Sequence, residues 1–211
     1  MIYKFNPFLL FSILVIISLL NIYLFNSLIL NDSFFYTSLG NQMSLKRIGD
    51  FIINTKNYRW VSFLIMPIYL VIVFYLISLI IYTGVKFFEI NITFKKCFKI
   101  ILLAETIPLI SSITKTLYFY IYPPTNLEVL QNFNPLGLSS LLNNDTIPKY
   151  LLYPIQQLNL FEVGYWLLLA YGIKSLGNVD FKKALKITSL SYGVGLLIWC
   201  IFIVFLQLQF S

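Results

Sequence analysis

WVSFLIMPIYLVIVFYLISLIIY, from Trp60 to Tyr82, is a run of 23 residues without a single charge. About 20 apolar residues cross the hydrocarbon of a bilayer as a helix, the form in which a single crossing segment satisfies its own backbone groups in lipid. This stretch therefore reads as a transmembrane helix, and it sets the solvent in which the rest of the chain is read.

Working outward, four further stretches have a similar length. They run from about Phe8 to Leu30, from Cys97 to Ile121, from Leu151 to Ile173 and from Ala184 to Leu206. The third span, 97–121, is interrupted by Glu105, Pro108 and Lys115, and the fourth, 151–173, contains Glu162. Composition agrees with the membrane reading. The 211 residues are 59% hydrophobic and 11% charged, against roughly 25% charged residues in ordinary globular domains. The expected fold is all-α: a single membrane domain, 1–211, built as a polytopic bundle of five transmembrane helices. The apolar stretch 8–30 is longer than a signal-peptide core and no small-x-small cleavage site follows it, so it reads as a retained helix.

Lysine and arginine orient the path. Lys86, Lys95, Lys96 and Lys99 cluster where the second span passes to the third. Lys174, Lys182, Lys183 and Lys186 cluster where the fourth passes to the fifth. An alternating path places both groups and Lys4 on one side, the cytoplasm, with the amino terminus inside and the carboxyl terminus outside. The first loop, also outside on this path, carries Lys46, Arg47, Lys56 and Arg59 against the rule. Within the outer loops, Ser44 to Asn54 has helical spacing suited to a short interfacial helix. A second short helix is expected after Asn134-Pro135, with Asn134 as cap, Leu136, Leu138, Leu141 and Leu142 as its apolar positions, and Asn143-Asn144 as its end.

The two basic loops resemble each other. Gly84-Val85-Lys86 leads after seven residues into Phe94-Lys95-Lys96-Cys97-Phe98-Lys99-Ile100. Gly172-Ile173-Lys174 leads after six into Phe181-Lys182-Lys183-Ala184-Leu185-Lys186-Ile187, and upstream Pro67-Ile68 matches Pro154-Ile155. The pattern predicts a duplicated two-helix hairpin, 60–121 and 151–206, related by an axis along the membrane normal.

Few groups remain that could do chemistry. There is no histidine, which removes histidine-based nucleophilic catalysis and nearly every catalytic zinc site. No glycine-rich phosphate loop occurs. The +7 net charge sits in short loops rather than on a polar domain, which argues against nucleic acid. No catalytic, cofactor-binding or metal site is expected. Cys97 and Cys200 suggest no disulfide framework. The buried polar candidates are Glu105, Lys115 and Glu162, since ionisable groups inside spans face the bundle and find partners. Opposed helices and similar depths predict a Glu162–Lys115 pair, with Glu105 reaching toward the lysine-rich interface. Pro108 is expected to kink the third helix. A proton or ion relay through Glu105 and Glu162 is the competing reading.

The five-span plan resembles the Yip family, the Rab-interacting type of five-span membrane protein, and especially its bacterial members. The resemblance is carried by Lys99 to Pro108 and by Leu158-Asn-Leu-Phe-Glu-Val-Gly-Tyr-Trp-Leu-Leu-Leu-Ala-Tyr-Gly-Ile-Lys174 followed by Phe181-Lys182-Lys183-Ala184. It spans roughly residues 60 to 206. It implies a five-helix bundle acting in membrane organisation or traffic through lipid or membrane-protein contacts, a second copy included, with no cofactor. Eukaryotic members bind small GTPases through a long cytoplasmic amino-terminal region. Here only seven residues precede the first span, so the resemblance extends to the bundle rather than to that role. Abundant Ile, Asn, Lys, Phe and Tyr suit an AT-rich genome and a bacterial inner membrane. A transporter or permease subunit is the alternative.

Overall fold

A computed structural model describes residues 5–140 and 147–210. Lys4, Leu141, Leu142 and the expected helix end at Asn143-Asn144 lie outside these described residues. The described residues are 84% helical and contain no strand. Four helices are long and apolar enough to cross a membrane: Pro7–Ile29, Leu45–Phe87, Phe94–Ile121 and Phe181–Phe210.

The first comprises α1 (Pro7–Leu24) and a wider π turn, Phe25–Ile29. Asn6 caps it by accepting a hydrogen bond from the Phe8 N–H, and Pro7 occupies the first turn, where its missing N–H costs nothing. A short α2 (Asp32–Leu39) follows, capped by Asn31.

Next comes α3 (Leu45–Phe87), 43 residues long. At about 1.5 Å per residue it measures roughly 65 Å, twice the thickness of the hydrocarbon. Lys46, Arg47, Asp50, Lys56 and Arg59 all lie toward its amino-terminal end, in the part that exceeds the length a hydrocarbon core would need. This corrects the expectation of a separate interfacial helix at Ser44–Asn54. No glycine or proline lies between Asn54 and Trp60, so nothing stops the helix there. The amino-terminal end packs instead on α2: Ile48, Ile52, Phe34, Phe35 and Leu39 form a small outer core.

This outer module also accounts for part of the charge that opposed the orientation rule. Lys56 pairs with Asp32 at 2.7 Å. Arg59 donates from Nη2 to the Leu30 carbonyl at 2.9 Å, one of the carbonyls left open where the first helix ends.

The remaining elements are α4 (Phe94–Ala104), α5 (Thr106–Ile121), α6 (Leu127–Asn132), α7 (Lys149–Gln157), α8 (Leu160–Gly177), α9 (Phe181–Thr188), a π turn Ser189–Gly193, and α10 (Val194–Phe210). The stretch expected as one span over 151–173 is thus two helices, parted at Leu158-Asn159. Asn159 is extended (φ −140°) and its Oδ1 accepts from the Glu162 N–H at 2.8 Å. This starts a fresh helix, as Asn caps do.

Backbone groups freed by the break are taken up by the loop Phe133–Ser140. Leu138 N–H donates to the Leu158 carbonyl, and Leu160 N–H to the Leu136 carbonyl. Asn134 Nδ2 adds a bond to the Gln156 carbonyl at 2.6 Å. The helix expected after Asn134-Pro135 is therefore absent from the described part, apart from a 3₁₀ turn at Leu138–Ser140. Leu136 adopts φ 53°, which a right-handed helix does not admit.

The main core lies between α3, α4, α8 and α9, where Phe74, Ile81, Val85, Cys97, Ile100, Ile101, Leu169, Ile173, Ala184 and Ile187 are buried. The two basic turns meet at one end of it, since a Cβ on Gly177 would lie 2.8 Å from Ile90 and 3.1 Å from Ile92. At Gly84, α3 touches the π turn so closely that a Cβ would lie 2.5 Å from the Ser191 Cβ.

Candidate functional site

The acids sit where helices are irregular. Pro108 lacks an N–H for the Ala104 carbonyl and its ring crowds that carbonyl. The break falls there: α4 ends at Ala104, Glu105 forms the joint, and α5 begins at Thr106. Thr106 turns its hydroxyl back onto the Leu103 carbonyl at 2.7 Å. The interruption lies one turn before Pro108. Pro67, by contrast, lies within α3 without ending it.

At this joint the Glu105 carboxylate accepts a 2.9 Å bond from the Tyr165 hydroxyl. Tyr165 is buried on α8. One face of the same helix carries Glu162, in its first turn. The Glu162 Oε1 accepts from Trp166 Nε1 at 2.8 Å and from the Tyr192 hydroxyl at 2.9 Å. Tyr192 comes from the π turn. Its ring lies 5.1 Å from that of Tyr165 and meets Trp166 edge-on at 5.9 Å. Gly193 is needed for this arrangement, because a Cβ there would lie 2.5 Å from Trp166 Cη2. Glu105, Tyr165, Tyr192, Glu162 and Trp166 thus form one polar and aromatic cluster joining the α4–α5 joint, α8 and the π turn.

Lys115 is not part of it. Its Nζ lies 5.9 Å over the Phe119 ring, and the ion pair found among the described residues is Lys56–Asp32. The expected Glu162–Lys115 pair is therefore not formed. Glu162 does not lie deep in a helix that starts at Leu151: α8 starts at Leu160, which puts Glu162 in its first turn. Neutral donors at its oxygen also avoid the desolvation that a second buried charge would bring. Glu105 likewise turns to Tyr165 rather than to the lysine-rich turn.

The partners Tyr165, Trp166 and Tyr192 were not singled out as site residues from the sequence. Trp166 carries a local signal, four residues after Glu162 and so on the same helix face. Tyr192 stands at the place in the fifth span that Glu105 takes in the third. Tyr165 carries no such signal.

Beside the cluster lies a groove of about 1440 Å³. Its walls come from α5 (Thr114, Tyr118), α8 (Leu160, Val163, Leu167) and α10 (Leu196, Leu197, Cys200), with Glu162 and Trp166 at one side. The loop Phe133–Ser140 closes its outer end, held by Phe133 stacked on Tyr118 at 4.2 Å. Leu160, Val163 and Leu197 are each more than half exposed, so the groove opens sideways on the bundle surface. Ser139 is among the lining residues, but its hydroxyl is buried, with no hydrogen-bond partner among the described residues.

No group of three or more potential metal ligands occurs among the described residues. No family model matches this chain, and comparison with curated proteins and with solved structures gives no match.

Proposed function

We propose that this chain is a five-span, non-catalytic integral membrane protein that works as a scaffold or as a trafficking or assembly component through contacts with lipid and membrane-protein partners. The observation that carries the reading is the state of its two acids. Glu105 and Glu162 are each held by hydroxyl or indole donors of the bundle itself. They thereby join three segments of the fold, which is a structural task.

Supporting the fifth crossing, the 18 residues of α8 extend about 27 Å, close to the roughly 30 Å of hydrocarbon, and α7 prolongs the path outward. Supporting the duplication, both hairpins turn through a left-handed residue, Glu89 and Asn178. Both then place an extended residue, Thr93 and Asp180, just before Phe94 and Phe181. An amino terminus in the cytoplasm, a bacterial inner membrane and a Yip-type bundle complete this reading.

The groove reaching Glu162 favours the second reading, a transporter or permease subunit. Proteoliposomes under an imposed pH gradient separate the two. A scaffold passes no proton or ion flux beyond protein-free vesicles, in the native chain and in Glu162→Gln alike. Flux present in the native chain and lost in Glu162→Gln would overturn the scaffold reading.

A further inference from the structure

The lateral groove carries a single charged group. Its lining contains Glu162 and, among the described residues, no lysine, no arginine and no second acid. Glu162 is partly exposed, and both hydrogen bonds that its carboxylate accepts fall on Oε1. Oε2 receives none among the described residues. Unlike the Ser139 hydroxyl, it is not one of the buried atoms left without a partner. Oε2 is therefore the oxygen open to the groove that Glu162 lines. A carboxylate among apolar walls is costly without a counter-charge. Lys115 does not supply one, because its Nζ lies over Phe119 and the residue is not part of the lining.

The walls narrow the class of cation. A metal ion needs several oxygen ligands, and no group of three or more potential metal ligands occurs among the described residues. An organic cation needs one counter-ion, an aromatic ring and apolar surface. Trp166 lines the groove beside Glu162, and tryptophan is the side chain whose ring face attracts cations most strongly. At about 1440 Å³ the groove exceeds the roughly 300–1,000 Å³ of compact ligand pockets, which leaves room for a bulky apolar body. Its sideways opening admits such a body from the bilayer.

We propose that this groove is a binding site for a hydrophobic organic cation, one positive centre on a bulky apolar body, with Glu162 as its counter-ion and Trp166 as its aromatic partner. Anions are disfavoured, because they meet Glu162 with no cation to pair them. The inference goes beyond the scaffold reading and does not depend on it, since a cation that is bound and not carried gives no flux.

Tetraphenylphosphonium and tetraphenylborate, alike in shape and opposite in charge, test the selection. Cys200 supplies a native probe, because it lines the groove while Cys97 is buried in the core. The full chain is placed in phosphatidylcholine nanodiscs at about pH 7.5, above the ordinary carboxyl range. Alkylation by N-ethylmaleimide is followed by mass spectrometry of the two cysteine peptides. The phosphonium is expected to slow Cys200 alkylation about tenfold and the borate to leave it unchanged. Glu162→Gln keeps an acceptor for Trp166 and Tyr192 but removes the charge. It is expected to raise the phosphonium concentration needed by about tenfold or more. Leu197→Trp, which fills the groove from an exposed position, removes the response to the phosphonium.

Equal slowing by the two ions, no slowing by the phosphonium, or a response that persists in Leu197→Trp each overturns the proposal. So does an unchanged phosphonium requirement in a Glu162→Gln chain whose Cys97 stays protected. Where Glu162→Gln exposes Cys97, the native chain's choice between the two ions decides alone. The pH-gradient assay is read on the same variants. Phosphonium protection in the native chain, with flux lost in Glu162→Gln, would sink the scaffold reading and spare the cation site. No protection and no flux would do the reverse.

Discussion

Gly84→Ala tests the contact that holds the first hairpin against the turn presenting Tyr192. The added methyl carbon would start 2.5 Å from the Ser191 Cβ and 2.9 Å from its Oγ. Ordinary carbon–carbon contact begins near 3.5 Å, so the two backbones must part by about 1 Å. The Ser191 side chain is short and its hydroxyl is tied to the Ile187 carbonyl at 2.7 Å, so it cannot swing clear. Overpacking of this kind costs about 1–3 kcal/mol. The intrinsic helix preference for Ala over Gly returns less than about 1 kcal/mol. The net loss is about 1–2 kcal/mol, a fall in Tm of several degrees for a chain of this size. Buried Cys97 gives the assay, since a thiol-reactive dye reaches it when the core opens on heating in detergent. Ser191→Gly removes the opposing Cβ and is expected to recover most of the loss in the double variant. A Gly84→Ala chain as stable as the native one would refute the close approach of α3 to the π turn. So would a double variant whose losses simply add.

The Glu162 cluster makes a second expectation. Tyr192→Phe lowers stability by about 1 kcal/mol, the scale of one hydrogen bond between membrane helices, and the loss shrinks in a Glu162→Gln background. Lys115→Met, by contrast, adds independently to Glu162→Gln, because its ammonium lies over Phe119; strong coupling in that cycle would restore the ion pair rejected above. Arg59→Ala leaves the Leu30 carbonyl without its donor and is expected to loosen the outer module, measured as faster amide exchange at Phe25–Leu30 and α2 with the main core unaffected. For topology, reporters at Lys96 and Lys182 are expected in the cytoplasm and those at Gly40 and at the carboxyl terminus outside; either basic turn reporting outside would reverse the path.

The sequence by itself determined the helical class of this protein and located its four long apolar helices, though not all of their ends. Hydropathy is a sum over neighbours in the chain, so Trp60–Tyr82 needs no other part of the molecule to be recognised. Pro108 stands four residues after Ala104, where α4 ends, and its missing N–H acts on that carbonyl. The start of α8 was written locally too, as Asn159 three residues before Glu162, but the apolar stretches on both sides mask it in any window long enough to find a span. The length of α3 was obscured for a related reason: charges end a hydropathy window but do not end a helix.

Only the tertiary structure decided the partners of the acids. Tyr165 lies 60 residues from Glu105 and Tyr192 lies 30 from Glu162. Which donor meets which oxygen follows from how the α4–α5 joint, α8 and the π turn pack, and charge alone pointed to Lys115 instead. The groove was invisible for the same reason. Its walls belong to three helices and a loop that no local pattern brings together.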